Sequence, residues 1–408
     1  MAAPAGRNLM RLALPGSPHL TYCTNIHAGE SWGEIFTALR KHLPGIKKRV
    51  SADAPMGVGL RLSAAAADEL GSSRALEELR DFLREADLYV FTINAFPYGA
   101  FHATRVKERV YEPDWRTEAR LQFTSRVADI LAQLLPDGIE GSISTVPGAF
   151  KDAIKGEADV DAMVEMLIHH AAHLHALSRD KGKSIVLALE PEPCCFLETI
   201  DEAISFFNGR LFARPSIDAF ARLADFPAEQ AEAVMRRHLG VCLDVCHAAV
   251  EFEDPTECVS RLEAAGIRVP KIQLSSALRV PAVDERAIEL LQSFDDGIYL
   301  HQTVADGDGT LTRYTDLPDA IAAHRSGEAS GEWRVHCHVP LFRADYGVLQ
   351  STQQQLAELL AACRARAMAP HLEVETYTWD VLPADIREGD IGDDIARELT
   401  WVRSQLGA

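Results

Sequence analysis

Eight short apolar runs, each followed by an amphipathic stretch, limit what this chain can fold into. The runs have the length of single strands and end at polar or turn-forming residues; they are residues 20–25, 57–63, 88–96, 141–147, 184–190, 240–245, 271–276 and 371–376. Strands that alternate with helices are typical of a parallel sheet covered by helices. Eight such units predict an α/β protein with a (β/α)₈ TIM-barrel fold.

The predicted helices occupy the stretches between these runs. Helical periodicity marks residues 31–42, 72–86, 115–135, 158–180, 198–208, 227–238, 255–265 and 348–367, and a final stretch at 395–406 closes the ring. The chain has 408 residues, whereas a barrel typically needs about 250. We therefore expect a single domain over residues 1–408, with residues 277–370 as an insertion over the C-terminal face, where barrel active sites lie.

Composition excludes several classes of function. A formal net charge of −19 argues against a nucleic-acid partner, since phosphate contacts need clustered Lys and Arg. The sequence has no apolar run long enough to span a membrane and no signal-peptide pattern at its N-terminus, which predicts a cytoplasmic protein. It also lacks the GxGxxG, GxxxxGK[ST] and GxSxG motifs of dinucleotide-binding, P-loop and serine-hydrolase proteins.

Acidic residues stand at the ends of three predicted strands. Glu190 ends IVLALE, Asp244 lies in VCLDVCH with His247 three residues later, and Glu375 ends HLEVE. A carboxylate in an apolar strand is costly unless it is paired or binds a metal. A structural salt bridge or a core aspartate with an unrelated histidine are the alternatives. We predict metal ligands at all four positions, with Glu190 and Glu375 also acting as acid and base.

Two further carboxylates lie close to these. Glu192 follows Glu190 by two residues, and Glu373 precedes Glu375 by two, so each pair faces one side of its strand. Glu192 can share the rim of the barrel, and Glu373 would sit deeper. We predict that both contact substrate.

Histidines supply the remaining candidates. The insertion has two strand-like runs, residues 298–304 and 333–342. The first contains His301 in YLHQTV. The second contains RVHCHVP, with His336 and His338, which would face one side of a strand. Such a pair either presents two nitrogen ligands to a metal ion or is a hydrogen-bonded structural pair; we predict the metal-ligand role for all three. After the third strand, FPYGAFH contains Tyr98 and His102, which we predict to position substrate.

The strand-end pattern resembles the xylose isomerase-like TIM-barrel superfamily. That resemblance implies a divalent ion, held by a Glu after strand five, an Asp with a trailing His after strand six, a His after strand seven and a Glu on strand eight. Glu190, Asp244, His247 and Glu375 match this pattern, but Gln273 stands where the superfamily usually has His. Either Gln273 ligates through its oxygen, which suits Mn²⁺ or Mg²⁺, or a histidine of the insertion completes the site. Zn²⁺ and Fe²⁺ are the other candidate ions.

Longer strings carry a narrower resemblance. TINAFPYGAFH, GSISTVPGAF, KIQLSSALRV, EWRVHCHVP and LEVETYTW are together similar to the metabolite traffic protein EboE family, over nearly the whole chain. The resemblance implies a sugar- or cyclitol-like substrate in the processing or export of secondary metabolites. It also implies a possible membrane-enzyme partner in the same pathway.

We therefore expect a metal-dependent isomerase or epimerase acting on a polyhydroxylated carbonyl compound. The metal would chelate adjacent carbonyl and hydroxyl oxygens while Glu190 and Glu375 exchange the proton of the carbon between them. A lyase (dehydratase) or a hydrolase on the same scaffold is the alternative among enzymes. A non-catalytic metabolite carrier is the alternative outside them, and Gln273 is the feature that favours it.

Overall fold

The structure is a computed structural model that describes residues 10–100, 107–295, 297–379, 382 and 389–408. Its strands, in chain order, are β1 (His19–Tyr22), β2 (Met56–Arg61), β3 (Leu88–Asn94), β4 (Gly141–Thr145), β5 (Ile185–Leu189), β6 (Leu239–Asp244), β7 (Arg268–Leu274), β8 (Leu278–Val280), β9 (Thr303–Gly307), β10 (Thr310–Tyr314), β11 (Glu332–Val335), β12 (Asp345–Tyr346), β13 (Leu349–Ser351) and β14 (His371–Val374).

The eight strands predicted from the sequence form one parallel sheet, in the order β1-β14-β7-β6-β5-β4-β3-β2. The sheet curls into a nearly closed barrel, because Cys23 at the end of β1 makes a parallel bridge to Gly59 of β2. The Thr21 hydroxyl reinforces this seam by accepting from the backbone N–H of Gly59 at 3.0 Å. These observations confirm the predicted TIM-barrel fold.

Helices surround the barrel and link its strands. They are α1 (Trp32–Val50), α2 (Ala64–Leu70), α3 (Ser73–Glu85), α4 (Glu118–Leu134), α5 (Glu157–Lys181), α6 (Ile200–Phe206), α7 (Arg214–Leu223), α8 (Ala228–His238), α9 (Val245–Val250), α10 (Pro255–Ala264), α11 (Glu285–Gln292), α12 (Leu317–Arg325), α13 (Gln353–Ala365) and α14 (Ile391–Leu406). Local sequence fixes several starts: Ser31 and Glu34 form a capping box at α1, and Thr199 and Glu202 form one at α6.

The first helix is longer than its sequence predicts. The pattern indicates a helix over 31–42, but α1 continues to Val50 with Pro44 inside it. A proline within a helix costs about 3 kcal/mol. Leu43 and Ile46, on either side of the proline, are fully buried, and each such side chain contributes about 1.5–3 kcal/mol. Their burial therefore outweighs the proline.

The connection between β7 and β14 contains a second sheet. Its strands run antiparallel in the order β10-β9-β11-β8-β13-β12. This sheet begins at β8, only three residues after β7, and ends with β13 at Ser351. Helix α13 then packs against α10 and α14 and so rejoins the ring around the barrel.

Candidate active site

Three carboxylates meet where the barrel strands end. Glu190 follows β5, Asp244 is the last residue of β6, and Glu375 follows β14. One oxygen of each lies within 4.8 Å of an oxygen of the other two, and all three side chains are buried. Carboxylates packed this closely require a cation or protons between them.

The electrostatics of the three groups differ. Burial raises the pKa of Glu190 well above its ordinary value, and the neighbouring carboxylates of Glu375 and Asp244 raise it further. Burial, followed by the charge of Asp244, does the same for the pKa of Glu375. The pKa of Asp244 is lowered despite burial, because His247, His338 and the Ser275 hydroxyl favour its charged form.

A histidine from the loop after β11 adjoins this group: one donor atom each of Asp244, His247 and His338 lies within 4.8 Å of the other two. Nδ1 of His338 lies 2.7 Å from the backbone carbonyl of Glu375. A carbonyl only accepts, so Nδ1 carries a proton, and in the neutral ring Nε2 carries a lone pair. Three buried atoms here have no hydrogen-bond partner: Nε2 of His338, Oε2 of Glu190 and Oδ2 of Asp244. Since buried lone pairs without a donor are costly, these atoms around Asp244 fit a bound cation.

The backbone explains how His338 reaches the barrel. Beyond β11 the chain runs beside the end of β7: the N–H of His336 donates to the carbonyl of Gln302 at 2.8 Å, and that of Val339 to the carbonyl of Ser276 at 2.9 Å. His336 and His338 both line the mouth, with ring centroids 5.3 Å apart, although they lie in the loop after β11 and not on the predicted strand.

Gln273 has a different place from the one predicted. Its amide nitrogen donates to Oε2 of Glu375 at 2.5 Å, and its Oε1 accepts from the thiol of Cys242 at 3.0 Å. Both ends of the amide are thus engaged beside Glu375. The imidazole nitrogen next to the carboxylates comes from His338, in the loop after β11.

A second group of donor atoms adjoins the first. One atom each of Glu192, His247 and His336 lies within 4.8 Å of the other two. The Nδ1 of His247 is 3.0 Å from the carbonyl of Pro191, and the Nδ1 of His336 is 2.8 Å from Oε1 of Gln302. The two Nε2 atoms face each other at 3.2 Å.

Glu192 is held by neutral groups. Its Oε1 accepts from the Tyr111 hydroxyl at 2.7 Å and from the Gln302 amide at 3.3 Å. Burial raises its pKa to about 8, although these hydrogen bonds act in the opposite direction. The carboxyl group can therefore hold or release a proton near neutral pH.

Both groups open into one cavity. Its lining includes Glu190, Glu192, His247, His336, His338 and Glu375 together with Asn25, Asn94, Phe96, Pro97, Lys107, Val110, Tyr111, Tyr299, Leu300, Gln302 and Tyr377. Six of the twelve predicted site residues thus line this cavity.

Two predicted residues lie elsewhere among the described residues. His301 is buried next to α12, where its backbone N–H donates to Asp316 at 3.0 Å, and its ring lies 3.9 Å from Asp295. Tyr98 packs edge-to-face on Phe123, with ring centroids 5.2 Å apart. Tyr98 lies four residues after β3 and His301 two residues before β9, so the direction of each side chain is set by a loop and not by strand alternation.

Glu373 lies below the site. It forms an ion pair with Lys271 inside the barrel, and both side chains are fully buried. Two residues along a strand correspond to roughly 7 Å, which separates Glu373 from the mouth and assigns it to the barrel core. His102 lies outside the described residues.

The sequence reasoning missed two asparagines. The amides of Asn25 and Asn94 donate to Oε1 of Glu375 at 2.8 and 3.1 Å. Asn94 ends β3, and Asn25 comes three residues after β1. Both positions carry the signal that identified Glu190, a polar residue at the end of an apolar barrel strand. Tyr111 and Gln302 have no such local signal.

The fold and the site together define a TIM barrel with a polar, metal-compatible mouth. No protein-family model and no curated protein matches the chain, so membership of the EboE family stays a prediction. Its structural neighbours are xylose isomerase-like TIM-barrel proteins. One is a xylose isomerase-like protein of Mycobacterium smegmatis in complex with magnesium, 14% identical, covering 97% of each chain, with a TM-score of 0.47.

Two further neighbours have described reactions. A probable 3-DHS dehydratase of Bacillus anthracis is 13% identical, covers 94% of this chain and 97% of its own, and has a TM-score of 0.45. A 3-keto-D-glucoside 4-epimerase of E. coli is 14% identical, covers 95% and 99%, and has a TM-score of 0.43. Across the described ranges, every helix is too short or too polar to cross a membrane.

Proposed function

We propose that this protein is a divalent-metal-dependent isomerase or epimerase acting on a sugar- or cyclitol-like polyhydroxylated carbonyl compound. The observations that carry the proposal are the close approach of the Glu190, Asp244 and Glu375 carboxylates and the unpartnered buried atoms of Glu190, Asp244 and the adjacent His338. A place in secondary-metabolite processing or export, implied by the resemblance to the EboE family, belongs to the same proposal.

Glu190, Asp244, Glu375 and His338 would hold the ion. Three carboxylates and one imidazole suit Mn²⁺, Zn²⁺ or Fe²⁺, and Mg²⁺ is favoured less because of the nitrogen. When bound, a divalent cation supplies a Lewis acid that polarises a substrate carbonyl.

The side chains would move the proton. Glu190 and Glu375 belong to different strands, and their oxygens face one shared space, so one can remove a proton from the carbon beside the carbonyl while the other returns it. Asn25 and Asn94 fix Oε1 of Glu375 through two donated hydrogen bonds. Burial of these groups keeps bulk water away from the exchanging proton.

Solvent exchange tests this proposal directly. The protein is loaded with Mn²⁺ and incubated in D₂O with a panel of aldoses, ketoses and ketocyclitols, and NMR follows deuterium at the carbon beside the carbonyl. Glu190→Gln and Glu375→Gln should each slow exchange by about 100-fold or more. Glu77→Gln, on the exposed face of α3, serves as the control and should keep the wild-type rate.

The same experiment separates the alternatives. Deuterium incorporation with loss of water from the substrate would identify a lyase. Binding of these compounds without exchange in any of them would contradict the isomerase proposal and favour the carrier.

A hydrolase is the second candidate, because Glu192, His247 and His336 form a second donor group next to the first. Adjacent metal ions are typical of enzymes that activate water against esters. Turnover of nitrophenyl esters by the metal-loaded protein, with no deuterium exchange, would favour this reading.

A further inference from the structure

The cavity lining is of two chemical kinds. Carboxylates and imidazoles form one part of it. Another part is apolar or aromatic and consists of Phe96, Pro97, Val110, Tyr299, Leu300 and Tyr377. The proton-transfer mechanism uses none of these six side chains.

The aromatic rings of the apolar part lie close to the polar residues of the site. Tyr377 packs on His338 with ring centroids 4.7 Å apart, and Tyr299 packs edge-to-face on Tyr377 at 5.2 Å. Phe96 packs in the same manner on Tyr111 at 5.8 Å. A substrate bound by the carboxylates and His338 would therefore have aromatic faces next to it.

Charge limits the substrate further. Among the described residues of the lining, the sole Lys or Arg is Lys107, and its ammonium group is paired with Asp316. Glu190, Glu192 and Glu375 add negative charge to the same space. A phosphate group, which needs unpaired cations or several N–H donors, would meet carboxylates there.

We propose that the substrate is an unphosphorylated polyol or hydroxycarbonyl compound that carries an apolar ring or short hydrocarbon group. Its oxygens face the carboxylate and histidine side, which rests on the proposed function, and its apolar group lies against Tyr299, Tyr377 and Phe96. Such a group would be desolvated on binding, and it contributes affinity that a free sugar lacks.

Calorimetry with three matched probes tests this inference. Phenyl β-D-glucopyranoside, D-glucose and D-glucose 6-phosphate are titrated into wild-type protein, with and without Mn²⁺. We expect the phenyl glycoside to bind about ten-fold or more tightly than D-glucose, and the phosphate to bind weakest. Equal affinity for the phenyl glycoside and D-glucose, or tightest binding of the phosphate, would overturn the inference.

A variant locates the effect. Tyr299→Ala should bring the affinity for the phenyl glycoside close to that for D-glucose and leave Mn²⁺ binding unchanged, whereas Tyr314→Ala, on β10 outside the cavity, should change neither. Retained phenyl selectivity in folded Tyr299→Ala would contradict the assignment. If the protein binds no Mn²⁺, the proposed function is wrong. The preference for the phenyl glycoside over D-glucose, measured without the ion, still tests the proposed apolar contact in that case.

Discussion

The Nε2 atoms of His247 and His336 face each other at 3.2 Å, although both rings have their protons elsewhere. The Nδ1 of His247 can only donate to the carbonyl of Pro191, and the Nδ1 of His336 points at Oε1 of Gln302, whose amide nitrogen donates to Tyr111 and Pro193. Two lone pairs are thus directed at one another, an arrangement that a proton or a metal ion between them stabilises.

The number of bound ions should therefore depend on His336. With Glu192 as the third donor, we expect wild-type protein dialysed against Zn²⁺ to retain about two ions per chain, and His336→Ala about one. Elemental analysis by mass spectrometry measures the ratio. His169→Ala, on the outer helix α5, should behave as wild type; about one ion in both wild type and His336→Ala would mean that a proton occupies the gap.

Gly59 should be intolerant of even a methyl group. A Cβ at this position would lie 1.8 Å from Oε1 of Glu373 and 2.7 Å from the carbonyl of Tyr22. We expect Gly59→Ala to displace the buried carboxylate and lower the free energy of unfolding by roughly 3 kcal/mol or more. Chemical denaturation measures the change. Gly33→Ala, which meets nothing within 4 Å, should change stability by less than about 1 kcal/mol.

Removing one member of the Lys271–Glu373 pair should destabilise the protein strongly, whereas replacing both by apolar residues should destabilise it little. Both side chains are fully buried, so Lys271→Met alone leaves a buried carboxylate uncompensated and should cost about 3–5 kcal/mol. The double variant Lys271→Met with Glu373→Leu should recover much of that loss. A double-mutant cycle of unfolding free energies checks both statements, and simple additivity of the two single losses would contradict them.

Stability should fall as the pH rises through neutrality, partly because of Glu398. This carboxyl group of α14 accepts hydrogen bonds from Thr376, Leu341 and Trp379, yet burial raises its pKa from 4.5 to about 7. The contribution of the protonated Glu398 to the free energy of unfolding is therefore complete below about pH 4.5. Up to roughly 3 kcal/mol of it is lost as the pH rises through about 7.

Glu398→Gln tests that assignment, since glutamine cannot ionise and its Oε1 can still accept from Thr376 and Leu341. Urea denaturation between pH 5 and 8 should give a flatter profile for this variant than for wild type. Glu77→Gln is the surface control and should retain the wild-type slope. Identical slopes for all three proteins would show that other groups govern the pH dependence.

The barrel was predictable because its signals are local. Each strand is a short buried run that needs no knowledge of its neighbours, and the carboxylates at 190, 244 and 375 stand out against apolar surroundings. Parallel strands then bring their ends to one face by topology alone. The same reasoning would have found Asn25 and Asn94 if neutral amides had been given the weight of carboxylates.

The second sheet was less predictable. Only two of its six strands were expected. Of the other four, β8, β12 and β13 have two or three residues each and gain stability from pairing that no local pattern reveals. The fourth, β10, is an edge strand without a buried apolar face. The roles of Gln273 and His338 depend on that pairing. The sequence leaves open whether Gln273 or a histidine of the insertion completes the site. The docking of the loop after β11 against β7 places the imidazole of His338 beside the carboxylates.

The hydrogen bond from His338 to the carbonyl of Glu375 has an evolutionary consequence. Through this bond the segment between β7 and β14 contributes a side chain to the site. Sequence changes in the barrel and in the second sheet are therefore coupled. A descendant that shortened this segment would lose a nitrogen donor and would need to regain one at the end of β7, most directly by a Gln273→His replacement. Substitutions that shift the second sheet should accordingly be accompanied by changes at the ends of β7 and β14.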